Sequence, residues 1–311
     1  MAIDTALQAV DELLQSLAVS DVSLLQQTSQ HILGAGGKRL RPRLVLLASE
    51  AVGAQDLNPA VPLAAAVEII HTATLVHDDI NDHGTLRRGR ETVNARWGGT
   101  FALLTGDYLF TKAYLLMAPY APELNMILAK AAMELVEGET QQIQAAKAGT
   151  LDRALYFEII AKKTASLFVA ATSLGATVAN APEAWISALN QYAYHLGLAF
   201  QITDDILDLV GEAEQIGKNA GIDVSQGRGL AVAIEGGNGK AAPALEVLET
   251  APGPFRESLL RGNDLDMAVA KGREKVRELA ALASAGLDKL PPSAARDELY
   301  DLVRLVVERD H

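Results

Sequence analysis

The chain has 311 residues, is 49% hydrophobic and 5% aromatic, and carries 27 Lys and Arg against 39 Asp and Glu, for a formal net charge of −12 without a single cysteine. Such a length supplies ample material for a core, and the absence of cysteine excludes disulfides, Cys-ligated zinc, iron–sulfur clusters and thiol catalysis. The acidic balance and the shortage of aromatics argue against a general nucleic-acid binder, which needs a basic face or a base-stacking platform.

Helical periodicity begins at once. Leu7, Val10, Leu13, Leu14 and Leu17 share one face, with Asp11, Glu12 and Gln15 opposite. Comparable patterns predict helices at about 21–33, 39–53, 60–81, 99–117, 122–147, 151–162, 164–179, 183–210, 238–250, 263–287 and 293–308. Pro59, Pro62, Pro122, Pro182 and Pro292 stand near predicted starts, where a missing N–H does least harm. Gly34, Gly53, Gly149 and Gly211 stand near predicted ends. No alternating strand pattern exceeds a few residues. The expected fold is all-α, a single domain over 1–311 built as a bundle of roughly 10–13 helices. Residues 211–240 form a glycine-rich stretch too long for an ordinary connection, which marks it as a candidate functional loop. Met1-Ala2-Ile3-Asp4 shows neither a basic n-region nor an apolar signal core, and no apolar run approaches the roughly 20 residues of a membrane span. The expectation is a soluble, cytoplasmic protein with no stable membrane insertion.

One short pattern occurs twice: Asp78-Asp79-Ile80-Asn81-Asp82 and Asp204-Asp205-Ile206-Leu207-Asp208. Each DDxxD ends a long apolar helix. Its first and last aspartates, four residues apart, face the same way one turn apart. Like charges there repel, and carboxylates at a helix C-terminus oppose the dipole. One copy reads most simply as a solvated helix end; two copies at the unfavourable end imply a compensating positive partner. Oxygen-only donors point to a hard cation, best Mg²⁺, which takes one or two carboxylates and bridges to phosphate oxygens. His71, His77 and His83 are spaced six apart and do not share a helical face, which disfavours zinc.

Cationic elements complete the pattern. Gly36-Gly37-Lys38-Arg39-Leu40-Arg41-Pro42 is a glycine turn followed by three positive charges at a helix start, a combination suited to a phosphate-like anion. Arg87-Arg88-Gly89-Arg90 follows Asp82 after a short loop, and Lys162-Lys163-Thr164 and Lys218 add further charge. Each alone reads as solvated surface. Together they answer the problem posed by the net charge: carboxylates hold the metal, and metal plus Arg and Lys hold a diphosphate.

Segment 68–79, ending His71-Thr72-Ala73-Thr74-Leu75-Val76-His77-Asp78-Asp79 and followed by Arg87-Arg88-Gly89, resembles the first aspartate-rich region of the trans-isoprenyl diphosphate synthases, or polyprenyl synthetases. Phe200-Gln201-Ile202-Thr203-Asp204-Asp205-Ile206-Leu207-Asp208 resembles the second. Residues 37–42, Gly138-Glu139, Lys163-Thr164 and Gly217-Lys218 match the remaining landmarks in order, so that the resemblance runs from about residue 28 to the C-terminus. It implies helices around a central cavity, a homodimer, and condensation of isopentenyl diphosphate with an allylic diphosphate held by three Mg²⁺ ions between the two clusters. Asp78 and Asp82 would hold two ions and Asp204 the third, with Asp79, Asp205 and Asp208 in support. Arg87, Lys163, Lys218 and Gln201 would contact the allylic diphosphate, beside Thr164. Lys38, Arg41, His71 and Arg88 would hold isopentenyl diphosphate. The allylic C–O bond ionises, the isopentenyl double bond attacks the cation, and departing diphosphate accepts the proton, so no side-chain base is required.

One segment departs from the family pattern. Where a Gly-Lys-x-Thr-x-Pro-like stretch is expected, the chain has Gly227-Arg228-Gly229-Leu230-Ala231-Val232, and Arg228 offers a planar fork in place of a point charge. Asn219 stands where proline is common. The resemblance also bears on product length. Thr74 lies one turn below Asp78 with Ala73 beside it and Ile70 deeper. Bulky aromatics near these positions stop short-chain relatives at three isoprene units; here both are small, which predicts an all-trans product longer than C15, in the range C30–C50, with C20 as the alternative. Rival readings are a class I terpene cyclase, disfavoured by the second DDxxD and the few aromatics, and a non-catalytic subunit of a heteromeric prenyl synthase, disfavoured by retention of both clusters.

Overall fold

The computed structural model describes residues 2–214 and 263–309, with side chains over 2–208 and 269–309. Helices follow in the order α1 (Ile3–Leu17), α2 (Ser23–Leu33), α3 (Leu40–Ala51), a 3₁₀ turn (Asn58–Ala60), α4 (Val61–Asn81), α5 (Val93–Trp97), α6 (Gly99–Met117), α7 (Pro122–Ala148), α8 (Arg153–Ile160), a π-helical turn (Ala161–Ala165), α9 (Ser166–Val178), α10 (Glu183–Glu214), α11 (Asn263–Leu287) and α12 (Ala294–Val307). The all-α expectation holds among the described residues. The predicted helix at 238–250 lies outside them.

Three local differences have physical causes. The helices predicted at 151–162 and 164–179 are not separated: α8 runs into α9 through the π turn. Gly211 does not end α10, which continues to Glu214. Between α4 and α6 the chain forms a hairpin, β1 (Leu86–Arg87) with β2 (Arg90–Glu91), paired Leu86 to Glu91 and Arg87 to Arg90, followed by the short α5. Two-residue strands show no period that a sequence pattern can register.

The chain gathers into two compact units. The first comprises residues 1–132, 170–189 and 290–296; the second comprises 133–169, 190–289 and 297–311. In the first, α1 is amphipathic and buries Ile3, Ala6, Val10 and Leu14 along one stripe. α4 is apolar on every side and packs against α1, α3 and α6. Leu63, Val67, Ile69, Ile70 and Ala73 are all fully buried there, each large side chain contributing roughly 1.5–3 kcal/mol relative to exposure. Contrary to the expectation of no such run, Asn58–Asn81 is long and apolar enough to cross a membrane by composition, but 78% of its most apolar window is buried in the protein, the mark of a core helix. α6 can approach α4 because position 106 is glycine: a Cβ there would sit 2.1 Å from His77 Nε2. His77 instead reaches the Leu103 carbonyl at 3.2 Å.

In the second unit, α10 buries Tyr192, Leu196, Ala199, Ile202 and Ile206. The Tyr192 hydroxyl donates to the Leu299 carbonyl on α12 at 3.0 Å, and burial pushes its pKa well above the ordinary tyrosine value.

Candidate active site

In the first unit the last turn of α4 carries the first aspartate cluster. Asp82 caps the helix, and its N–H bonds to the Asp78 carbonyl at 2.8 Å, so Asp78 and Asp82 lie one turn apart. Both are half-buried, whereas Asp79 is buried. The Arg87 guanidinium takes hold of Asp79 through Nε at 2.9 Å and Nη2 at 2.8 Å, both to Oδ1. Burial raises the Asp79 pKa and the Arg87 pair opposes the rise. Asp79 Oδ2 is buried without a hydrogen-bond partner. The aspartates of the first cluster are therefore not equivalent: Asp78 and Asp82 are half-buried, and Asp79 turns inward.

Lys38 is exposed and Arg41 half-buried, as an anion cradle requires. Arg39 differs. It adopts a left-handed backbone (φ 47°) and turns into the protein, bonding Asp11 at 2.8 Å, Glu68 at 2.8 Å and the Leu33 carbonyl at 3.3 Å. It therefore ties α1 and α4 to the start of α3 and is not one of three equivalent charges at the turn. Arg88, also left-handed (φ 51°), donates to the Gly36 carbonyl, and Arg90 donates to the Gly34 carbonyl at 3.3 Å. These contacts bring the hairpin, with Arg87 and Arg88, against the glycine turn.

His71 is set among these cations. Burial first, then the guanidinium groups of Arg41, Arg88, Arg87 and Arg39, hold its imidazole well below the ordinary 6.5. The unfolded chain takes up a proton near pH 6.5 while the folded one resists until much lower pH. The stability that depends on neutral His71 is thus complete above pH 6.5 and is lost as pH falls below it. Thermal melts of the wild type and His71→Gln are expected to diverge in slope below about pH 6.5, the wild type losing stability faster. Parallel slopes would contradict this.

In the second unit the π turn presents Lys163 and Thr164. Such turns recur at functional sites because the extra residue redirects side chains. Lys163 Nζ donates to Gln142 Oε1 at 2.8 Å and pairs with Glu139. Gly138 makes this possible: a Cβ there would lie 2.8 Å from the Lys163 backbone nitrogen. Thr164 Oγ1 donates to Gln201 Oε1 at 2.7 Å, Gln201 Nε2 donates to Asp205 Oδ1 at 2.9 Å, and the Tyr156 hydroxyl donates to Asp205 Oδ2 at 2.6 Å. Asp205 is buried; Asp204 and Asp208 are half-buried, which repeats the division seen in the first cluster.

Tyr156 is a residue that the sequence pattern missed. Its only signal was a position seven residues, about two helical turns, before Lys163. Tyr156→Phe removes a buried hydrogen bond to a carboxylate and is expected to cost roughly 1–3 kcal/mol. A thermal midpoint unchanged from the wild type would show that bond to be unimportant. Lys218, Arg228, Asn219 and the 227–232 stretch lie outside the described residues.

The donors fit a hard divalent cation. They are carboxylate oxygens in pairs one turn apart, and one buried oxygen of Asp79 has no partner. Among the described residues no group of three His, Asp or Glu side chains is placed to hold a metal ion by itself. Ala73, Ile70 and Thr74 are buried on α4 in the turns before Asp78, with the Thr74 hydroxyl donating to the His71 carbonyl at 2.8 Å.

A helical protein with paired aspartates at two helix turns and lysine and arginine around them belongs to a class that handles polyanionic substrates. The profile described as Polyprenyl synthetase matches residues 22–251, and the chain belongs to that family. It is 38% identical to heptaprenyl diphosphate synthase component 2 of Geobacillus stearothermophilus, over 98% of this chain and 96% of that one. The crystal structure of a polyprenyl synthase from Caulobacter crescentus CB15, complexed with calcium and isoprenyl diphosphate, superposes with a TM-score of 0.83 at 34% identity, covering 99% and 96% of the two chains. A geranylgeranyl pyrophosphate synthetase from the archaeon Geoglobus acetivorans gives a TM-score of 0.85 at 29% identity, covering 99% of each.

Proposed function

We propose that this chain is a trans-polyprenyl diphosphate synthase. It would condense isopentenyl diphosphate head-to-tail with an allylic diphosphate and release diphosphate. The observation that carries the reading is the repeated division within the two DDxxD clusters: half-buried first and last carboxylates, and a buried middle one locked by Arg87 or by Tyr156 and Gln201. Asp78, Asp82 and Asp204 hold Mg²⁺, three ions by analogy with the family, with Asp79, Asp205 and Asp208 in support. The metal, when bound, neutralises the charge that develops on departing diphosphate. Lys163, held by Gln142 and Glu139, would offer its ammonium to the same developing charge. Arg87, Lys218, Arg228, Gln201 and Thr164 serve the allylic diphosphate; Lys38, Arg41, His71 and Arg88 serve isopentenyl diphosphate. A neutral His71 can donate one hydrogen bond without adding charge.

The product is longer than C15, in the range C30–C50, because Ala73 and Thr74 leave no aromatic floor below Asp78. The similarity of the fold to a geranylgeranyl enzyme keeps C20 as the alternative. The whole chain acts as one polyprenyl synthetase domain, in the cytoplasm, as a homodimer; exposed Phe101, Leu104 and Leu115, which recur along one stripe of α6, support the last point. The test is incubation of the purified chain with Mg²⁺, isopentenyl diphosphate and farnesyl diphosphate, followed by product sizing. Products of six to ten isoprene units are expected, and their loss in EDTA. A second reading rests on the name of one relative, a component of a two-part synthase: no diphosphate release with any primer by the chain alone would favour it.

A further inference from the structure

The C-terminal arginine of the described chain lies on the second aspartate cluster. Arg309 Nη1 donates to Asp204 Oδ1, and the guanidinium also sits 5.5 Å above the Phe200 ring. Phe200 and Asp204 are four residues apart on α10 and so share a face, and Arg309 spans both. The register is set by backbone packing. Thr203 Oγ1 donates to the Val306 carbonyl at 3.3 Å, which holds the end of α12 beside α10 immediately before Asp204.

This pair has the features of a reversible contact. Asp204 and Arg309 side chains retain 36% and 23% of their exposure, so solvent screens the attraction. Arg309 Nε is buried without a hydrogen-bond partner, so the guanidinium is incompletely satisfied where it lies. Arg309 also borders a cavity of about 140 Å³ with Ile206, Leu207, Val276 and Val307 and with two further arginines, Arg273 and Arg277, which offers the side chain room to move. A divalent cation at the same carboxylate carries twice the charge of a guanidinium and competes for the same oxygen.

We propose that Arg309 is a built-in counter-ion of Asp204 that competes with the divalent cation, so that metal loading at the second cluster releases Arg309 from α10. The inference rests on the reading of Asp204 as a metal ligand. In the metal-free protein Arg309 offsets the repulsion between Asp204 and Asp208, one turn apart. On metal binding that service is no longer required, and the guanidinium leaves.

The test is binding of Mn²⁺ in the presence of inorganic diphosphate, followed by calorimetry and by the electron-spin resonance of free Mn²⁺, with no turnover involved. Arg309→Gln is expected to bind the ion about 2–5-fold more tightly than the wild type, the size set by a partly exposed ion pair. In an Asp204→Asn background the same substitution is expected to change nothing, and cooperative thermal unfolding shows that each variant is folded. Equal or weaker binding by Arg309→Gln in the native background overturns the proposal. Absence of Mn²⁺ binding by the wild type overturns the metal-site reading itself, a different result from the first.

Discussion

Asp78→Asn is expected to reduce kcat for prenyl transfer by about 10²–10³-fold with little change in thermal midpoint, while Asp79→Asn, one residue away, lowers the midpoint markedly. The contrast follows from side-chain direction. Asp78 is half-buried at the last turn of α4 and shares a face with Asp82, so its charge costs stability through repulsion of a few tenths of a kcal/mol. On the proposed reading, removing that charge also removes an oxygen that would hold the cation neutralising the departing diphosphate. Asp79 is buried and accepts two bonds from Arg87. Its neutral isostere leaves that guanidinium without a charge partner, a loss of about 1–3 kcal/mol. Steady-state kinetics and thermal unfolding of the two variants separate these outcomes. Equal loss of activity with equal stability in both would show that the half-buried and the buried carboxylate do not differ in role.

Ala73→Phe is expected to shorten the product to three or four isoprene units. Ala73 is fully buried on α4, and Ile70 one turn below it is buried too, so a benzyl group at position 73 needs new room, which on the proposed reading it takes from the growing chain. If that space does not exist, the extra volume strains the core instead, at about 1–3 kcal/mol. Product sizing and a thermal melt distinguish the cases: unchanged product lengths with a lowered midpoint would sink the assignment of α4 as the wall that meets the chain.

Much of the fold was readable in advance because its elements are long and strongly periodic. α1, α4, α6, α7 and α10 fall within a few residues of their predicted spans. The hairpin at 86–91 and α5 escaped because elements of two to five residues hold no period. The π turn escaped for another reason. A single extra residue leaves the apolar pattern nearly intact while it shifts every later side chain by one position.

The chemistry divides in the same way. The sequence by itself determined which side chains could do the work: two DDxxD clusters, the Gly37–Pro42 turn, Lys163-Thr164, and small residues at 73 and 74, all of them local patterns of residue type and spacing. Only the tertiary structure decided which of those side chains is drawn into the fold. Arg39 was one of three apparently equivalent cations until Asp11 and Glu68, 28 and 29 residues away, drew it inward. Asp79 and Asp205 were equivalent to their neighbours until Arg87 and Tyr156 claimed them. Arg309 stood 105 residues from the carboxylate it meets. Helical spacing tells which residues share a face, but which face is buried, and by what, depends on contacts between distant segments, and no local pattern encodes those.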